Sequence, residues 1–528
     1  MSFFAKINAK QQMGIAALVM GFSVLISRFM GLFRDKVISW QFGASGETDL
    51  YFAAFILPDF LNYLLAGGYV SITLIPLLSK LMEKDMDDAW KFFSTVFCWA
   101  TSIVVLLSLV LWIFAPCIVP YLAPGFDTNQ LLRLTDFLRI ILPAQICFLP
   151  GACFTALLYI RKQFTIPALV PLIYNGMILL CGISFPYLGI SEGMEGFCWG
   201  VLLGAFLGSL YLPFMAARAG GIQICLQWKH AYLKRFLCLA LPLMIGQSIV
   251  VLDEQFIRIF GSMAGTGEVS LLSYARRIMM VPVGVVAQAA GVASFPFLAS
   301  LFAKNDMEHF CETLQKALKN TLVIVLPITL YMVAVAKPTL GFIFEGGQFG
   351  IQETFSAAPY LRIMLLAVPF WCIQQILGRS FYAMENTITP AVVGTIVTLA
   401  IVPLYIYCSP RFGGMVVAFL TSFSIVLYAL VLCFVGRKYF QKAYQGILCL
   451  LFKNVLCNCI PFLLCLAMCF YTEVYLQGKM PLLWVQGLEI CLGGAVFSVS
   501  YLLAAKLFLP ENITLLLSPF LRRLKRQV

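Results

Sequence analysis

This chain has little charge and almost no histidine. Of its 528 residues, 11% are Asp, Glu, Lys or Arg, and two are histidine, His230 and His309. A soluble globular domain carries about a quarter of its residues as charge, so that class is excluded. Neither histidine has metal-ligand spacing and both fall in expected loops, so the sequence indicates no metal site and no cofactor. Room for a soluble catalytic domain is also missing. The Asp85-Met86-Asp87 pair has the pattern of a glycosyltransferase metal clamp, but its loop of about 15 residues cannot hold a nucleotide-binding domain. These aspartates read instead as water-facing groups at a helix start, and no enzyme is expected. No A-x-A-like cleavage step follows Lys6, Lys10 and the apolar run to Ser27, so that stretch reads as a first span rather than a signal peptide.

Apolar sequence fills the space left. Hydrophobic residues make up 61% of the chain, and runs of about 20 residues, enough to cross a bilayer at 1.5 Å per residue, recur between short loops. About fourteen spans are expected, giving an all-α integral membrane protein. The eighteen cysteines sit mostly within these runs, as at Cys147, Cys181 and Cys465, and read as small buried hydrophobes rather than disulfide partners.

Lysine and arginine set the orientation, because cationic loops stay in the cytoplasm. One side collects Lys80, Lys84, Arg161, Lys162, Lys229, Lys234, Arg235, Arg437, Lys438 and the Arg522 to Arg526 tail; the other holds Arg133, Lys337, Arg411 and Lys479. Both termini are therefore expected in the cytoplasm. The net charge of +12 follows from this topology and from anionic membrane lipids, and calls for no nucleic acid.

The chain repeats itself at an offset of roughly 220 residues. Gly46-Glu47-Thr48-Asp49-Leu50 is echoed by Gly267-Glu268-Val269-Ser270-Leu271, Ile75-Pro76 by Phe295-Pro296, and Leu138-Arg139-Ile140 by Leu361-Arg362-Ile363. Two parallel six-helix repeats around a central cavity are the expectation: residues 1-222 as one lobe, 223-443 as the other, and 444-528 as two extra spans with a basic tail. A membrane chain built this way reads as a carrier.

Function is sought in the interrupted spans, since a charge at bilayer depth costs at least about 2.5 kcal/mol on insertion scales. The first span holds Arg28, Arg34, Asp35 and Lys36; Arg28 and Lys36 are open to snorkelling, while Arg34 is expected to face a water-filled cavity, where a guanidinium clamps a phosphate bidentately. The second carries Asp49, Asp59 and Asn62 around Pro58, Gly67 and Gly68, which predict a bent helix. Asp49 is either a helix cap or a functional carboxylate. Asp253, Glu254 and Arg258 share one span; a Glu254 to Arg258 pair accounts for two of them, leaving Asp253 beside Glu254 as a candidate for ion coupling. Arg276 and Arg277 precede Pro282, the second expected bend. Neighbouring helix residues point about 100° apart, so both arginines are expected to border a wide cavity. Arg139 and Arg362 are expected to snorkel.

The run Ser27-Arg28-x-x-Gly31-x-x-Arg34-Asp35, with Phe42-Gly43-Ala44, Thr48-Asp49, Ala54-Phe55-x-x-Pro58 and Tyr274-Ala275-x-Arg277-x-x-x-x-Pro282, resembles the MurJ/MviN lipid II flippases. The resemblance implies fourteen spans in two lobes around a cationic cavity, plus a C-terminal groove for a polyprenyl tail. The implied substrate and partner is lipid II, the undecaprenyl-diphosphate-linked peptidoglycan precursor. By position Arg28, Arg34 and Arg277 match arginines the family needs, and Asp49 its span-two aspartate. Asn62 stands where the family has an arginine, and Gly67 and Met280 where it often has glutamate; Arg276 is expected to replace the lost cation. A related exporter of another polyprenyl-linked saccharide is the nearest alternative. A drug or cation antiporter is disfavoured by like-charge repulsion.

Overall fold

The computed structural model describes residues 13-66, 69-476 and 478-508, and these residues are almost wholly helical. The first helices in chain order are α1 (Met13–Phe42), α2 (Gly46–Ala53), α3 (Ile56–Leu61), a π-helical turn (Asn62–Ala66), α4 (Tyr69–Lys84), α5 (Met86–Leu122), α6 (Thr128–Ile141), α7 (Ala144–Ile160) and α8 (Thr165–Tyr187). There follow α9 (Glu195–Gly204), a second π turn (Ala205–Tyr211), α10 (Leu212–Ala219), α11 (Leu233–Ser262), α12 (Glu268–Pro282), a third π turn (Val283–Ala287) and α13 (Gln288–Ala303). The chain continues as α14 (Met307–Ala334), α15 (Ala336–Phe344), α16 (Ile351–Leu366), α17 (Val368–Ala383), α18 (Ile388–Phe412), α19 (Gly414–Phe440), α20 (Ile447–Leu476) and α21 (Leu482–Phe508).

Among the described residues, ten helical segments are long and apolar enough to cross a membrane. The other expected spans are α1, α2 to α4, α11 and α12 to α13, the segments that carry charge or are broken. The breaks have a local cause. Pro58 has no N–H to give the carbonyl of Ala54, and its ring crowds that group; the helix turns at Ala54 and Phe55, where Phe55 N–H bonds back to Phe52 at 3.3 Å. Pro282 is the last α-helical residue of α12, with no turn before it. Each proline is followed by a π turn, at Asn62–Ala66 and Val283–Ala287. Irregularity thus repeats at the same offset of roughly 220 residues as the sequence does. Gly67 and Gly68 lie outside the described residues.

The residues pack as two units, Met1–Ser270 and Leu271–Val528. In the first, α11 packs on α2 to α5. In the second, α20 and α21 pack on each other and on α14 and α15, around Cys465, Phe497, Tyr501 and Ala505. Outward faces carry exposed side chains such as Leu106, Leu464 and Phe470, as helices bathed in hydrocarbon require. All eighteen cysteines are free. Cys153 and Cys372 are fully buried as expected, whereas Cys117, Cys459 and Cys491 are exposed, a placement that lipid tolerates.

Candidate functional site

Four groups of polar side chains lie within the interrupted spans. On α1, Arg34 donates to Asp35 Oδ1 from Nε at 3.0 Å and Nη2 at 2.8 Å, and Nη1 reaches Asn175 Oδ1 on α8 at 3.3 Å. The Arg34 side chain is 13% exposed and Asp35 only 1%. Arg34 is thus oriented by two neighbours and keeps a small accessible surface. Arg28 is exposed. Six residues of helix turn through about 240° net, so Arg28 and Arg34 face different ways and are not brought together.

Asp49 is 0% exposed. Its Oδ2 accepts from the N–H of Gly267 at 2.5 Å and its Oδ1 from the N–H of Ser270 at 2.7 Å. A carboxylate bonded to the first free N–H groups of a helix is a cap, and here it caps α12, not its own helix; Ser45 caps α2. In the repeat, Ser270 is the counterpart of Asp49 and Gly267 that of Gly46, so corresponding helix starts meet. Gly267 has φ +86, and a Cβ there would lie 2.6 Å from the Ala44 carbonyl oxygen. Only glycine fits on both counts.

Across α3 and α11, Arg258 Nη1 donates to Asp59 Oδ2 at 2.7 Å and Nη2 to Glu254 Oε1 at 2.9 Å. The expected Glu254 to Arg258 pair is present, and Asp59 joins it. Sequence reading singled out Asp59 and Arg258 separately but had no signal to connect them, because no periodicity links residues on different helices. Asp253 is half-buried on the same helix.

In the second unit, Arg276 is 8% exposed with its guanidinium 5.5 Å from the Trp371 ring centroid, while Arg277 is exposed. The two neighbouring arginines thus sit in different surroundings. The 100° between neighbours is resolved by burying one against an aromatic face, which stabilises a desolvated cation, and turning the other outward. Asn62 opens the first π turn and is half-buried, and Met280 is exposed.

Two other expectations resolve simply. Asp85 caps α5, accepting from Asp87 N–H at 2.9 Å, and Asp88 meets His230 at 3.1 Å, so the aspartate pair serves a helix start. Arg139 lies over Trp112 at 5.1 Å, and Arg362 is exposed. Among the described residues, no group of three His, Cys, Asp or Glu is arranged to hold a metal. Reading by sequence missed Arg133, which bridges Glu47 at 3.2 Å and also pairs with Glu195.

An all-helical membrane chain with a duplicated pattern, proline-broken spans and guanidinium groups within those spans defines a carrier of the multi-helix, two-repeat kind. The chain belongs to the MurJ family of lipid II flippases, whose family model matches residues 38–487. Arg28 and Arg34 lie just before that range. A probable lipid II flippase MurJ of Buchnera aphidicola subsp. Acyrthosiphon pisum is 26% identical over 370 residues, covering 69% of this chain and 72% of that protein. One of Rhizobium meliloti is 29% identical over 381 residues, covering 70% and 71%. The fold matches the lipid II flippase MurJ in its inward closed conformation, with TM-score 0.76, 24% identity, and coverage of 94% of this chain and 100% of that one. An inward-facing multidrug resistance MATE transporter matches with TM-score 0.64 at 14% identity, covering 81% and 99%.

Proposed function

We propose that this protein carries lipid II across the cytoplasmic membrane by alternating access. Membership of the flippase family over residues 38–487 carries this reading. The polar groups support it chemically. Arg34 keeps accessible surface inside a span while two neighbours fix its plane, which preorganises a fork suited to a diphosphate. Arg277, the outward member of its pair, is the second proposed contact, and Arg28 and Asn62 are proposed to line the path. Asp253 and Glu254 are the proposed ion-coupling residues. The chemistry is binding and release, with no bond made or broken.

The proposed lobes follow the duplication, residues 1-222 and 223-443, with 444-528 supplying a track for the isoprenoid tail. Both termini are proposed to be cytoplasmic, from the cation-rich loops. Complementation tests the reading: expression in a bacterium depleted of its own lipid II flippase should restore wall synthesis. Failure to rescue at normal membrane levels, with transport of another polyprenyl-linked saccharide in vesicles, would select the related-exporter reading.

A further inference from the structure

A cavity of about 480 Å³ opens on the second unit, and none of the candidate-site polar side chains described above lines it. Its walls come from α14, α17, α19, the Gln441–Tyr444 turn and the start of α20, with Leu318, Ile373, Ala429 and Leu451 among the apolar lining. At its rim Phe434 is 72% and Leu448 76% exposed, so the cavity is entered from the surface rather than from the protein core. One end differs from the rest. Arg437 lines it, lying close enough to Cys433 and Tyr444 to act on both electrostatically. Lys438 is exposed beside it, and Lys319 is close by, 3.7 Å from where a Cβ on Gly446 would stand. No carboxylate lines the cavity. Tyr444 forms a wall because Gly436 admits its tip: a Cβ at Gly436 would come within 2.3 Å of the Tyr444 hydroxyl.

We propose that this cavity is a site for one anionic glycerophospholipid, with an acyl chain in the apolar pocket and the phosphate on Arg437. An apolar chain gains little by moving from lipid to an equally apolar wall, so selectivity rests on the cationic end, which attracts an anionic headgroup and not a zwitterionic one. The end that carries Arg437 is the cation-rich one, assigned above to the cytoplasmic leaflet. The volume is that of a site for a small ligand or a single chain. Eleven isoprene units do not fit it, which separates this site from the tail track proposed for α20 and α21.

Full-length protein purified in detergent is given dioleoylphosphatidylglycerol or dioleoylphosphatidylcholine, and retained lipid is counted by native mass spectrometry. One phosphatidylglycerol should be held in preference to phosphatidylcholine. Arg437→Gln should weaken its retention about fivefold while leaving phosphatidylcholine unchanged, and Arg437→Lys should keep it. Ala429→Trp, which fills the pocket, should abolish it, and Gly436→Ala, which displaces Tyr444, should weaken it. Equal retention in wild type, Arg437→Gln and Ala429→Trp would show an unspecific lipid shell and overturn the proposal. So would displacement of phosphatidylglycerol by equimolar undecaprenyl phosphate.

Discussion

Arg34 is bound by Asp35 and Asn175, so its replacement has two separable effects. Arg34→Ala takes its charged partner from Asp35, 1% exposed, a loss of about 3–5 kcal/mol in stability. It also removes a charged contact worth about 1.5–3 kcal/mol to a bound anion. Adding Asp35→Ala should return most of the stability, measured by thermal unfolding in detergent, without restoring rescue of a flippase-depleted strain. A double variant that rescues fully would show that Arg34 serves only to neutralise Asp35. The paired arginines of α12 invite the opposite contrast. Arg276→Ala should lower stability by about 0.5–2 kcal/mol through loss of its contact with Trp371, whereas Arg277→Ala should cost less stability and abolish rescue. Equal unfolding temperatures for the two variants would contradict the buried and exposed assignment.

At the scale of elements, the junction of α2 with the start of α12 is held by backbone geometry as much as by charge. Asp49→Ala strips two buried N–H groups of their acceptor, at about 1–3 kcal/mol. Gly267→Ala meets both a positive φ and the Ala44 carbonyl, for a loss of about 1–3 kcal/mol or more. Since each change undoes the same contact, the double variant should cost clearly less than the two singles together. Simple additivity in thermal unfolding would show that the capping bonds and the tight glycine turn act independently. The two π turns that follow Pro58 and Pro282 belong to the same scale. A proline removes one hydrogen bond from a helix that has no water to replace it, and a local change of winding restores pairing downstream.

For the whole molecule, the arrangement of loops is the testable quantity. In a background with the exposed native cysteines replaced, an impermeant thiol reagent added outside cells should label Lys479→Cys and Arg411→Cys but not Lys162→Cys or Lys229→Cys. Labelling of the second pair from outside would invert the proposed topology, and with it the leaflet assigned to the Arg437 pocket. The pattern expected follows from the uneven loop cations alone, so it stands independently of any residue role.

The amino-acid sequence by itself determined the bilayer class, the near-complete helicity, the duplication and the positions of the irregularities near Pro58 and Pro282. These follow from composition and short-range periodicity, which act over a turn or two of chain. The Glu254 to Arg258 pair was legible for the same reason, being one helical turn apart. What only the tertiary structure decided are the partners across helices: Asp49 with Gly267 and Ser270, Asp59 with Arg258, Arg34 with Asn175, and Arg276 with Trp371. Each joins residues about a hundred or more positions apart, and no one-dimensional pattern records which faces two helices turn to each other. A charge in a span announces that it needs a partner, because hydrocarbon will not solvate it; packing alone chooses which partner it gets.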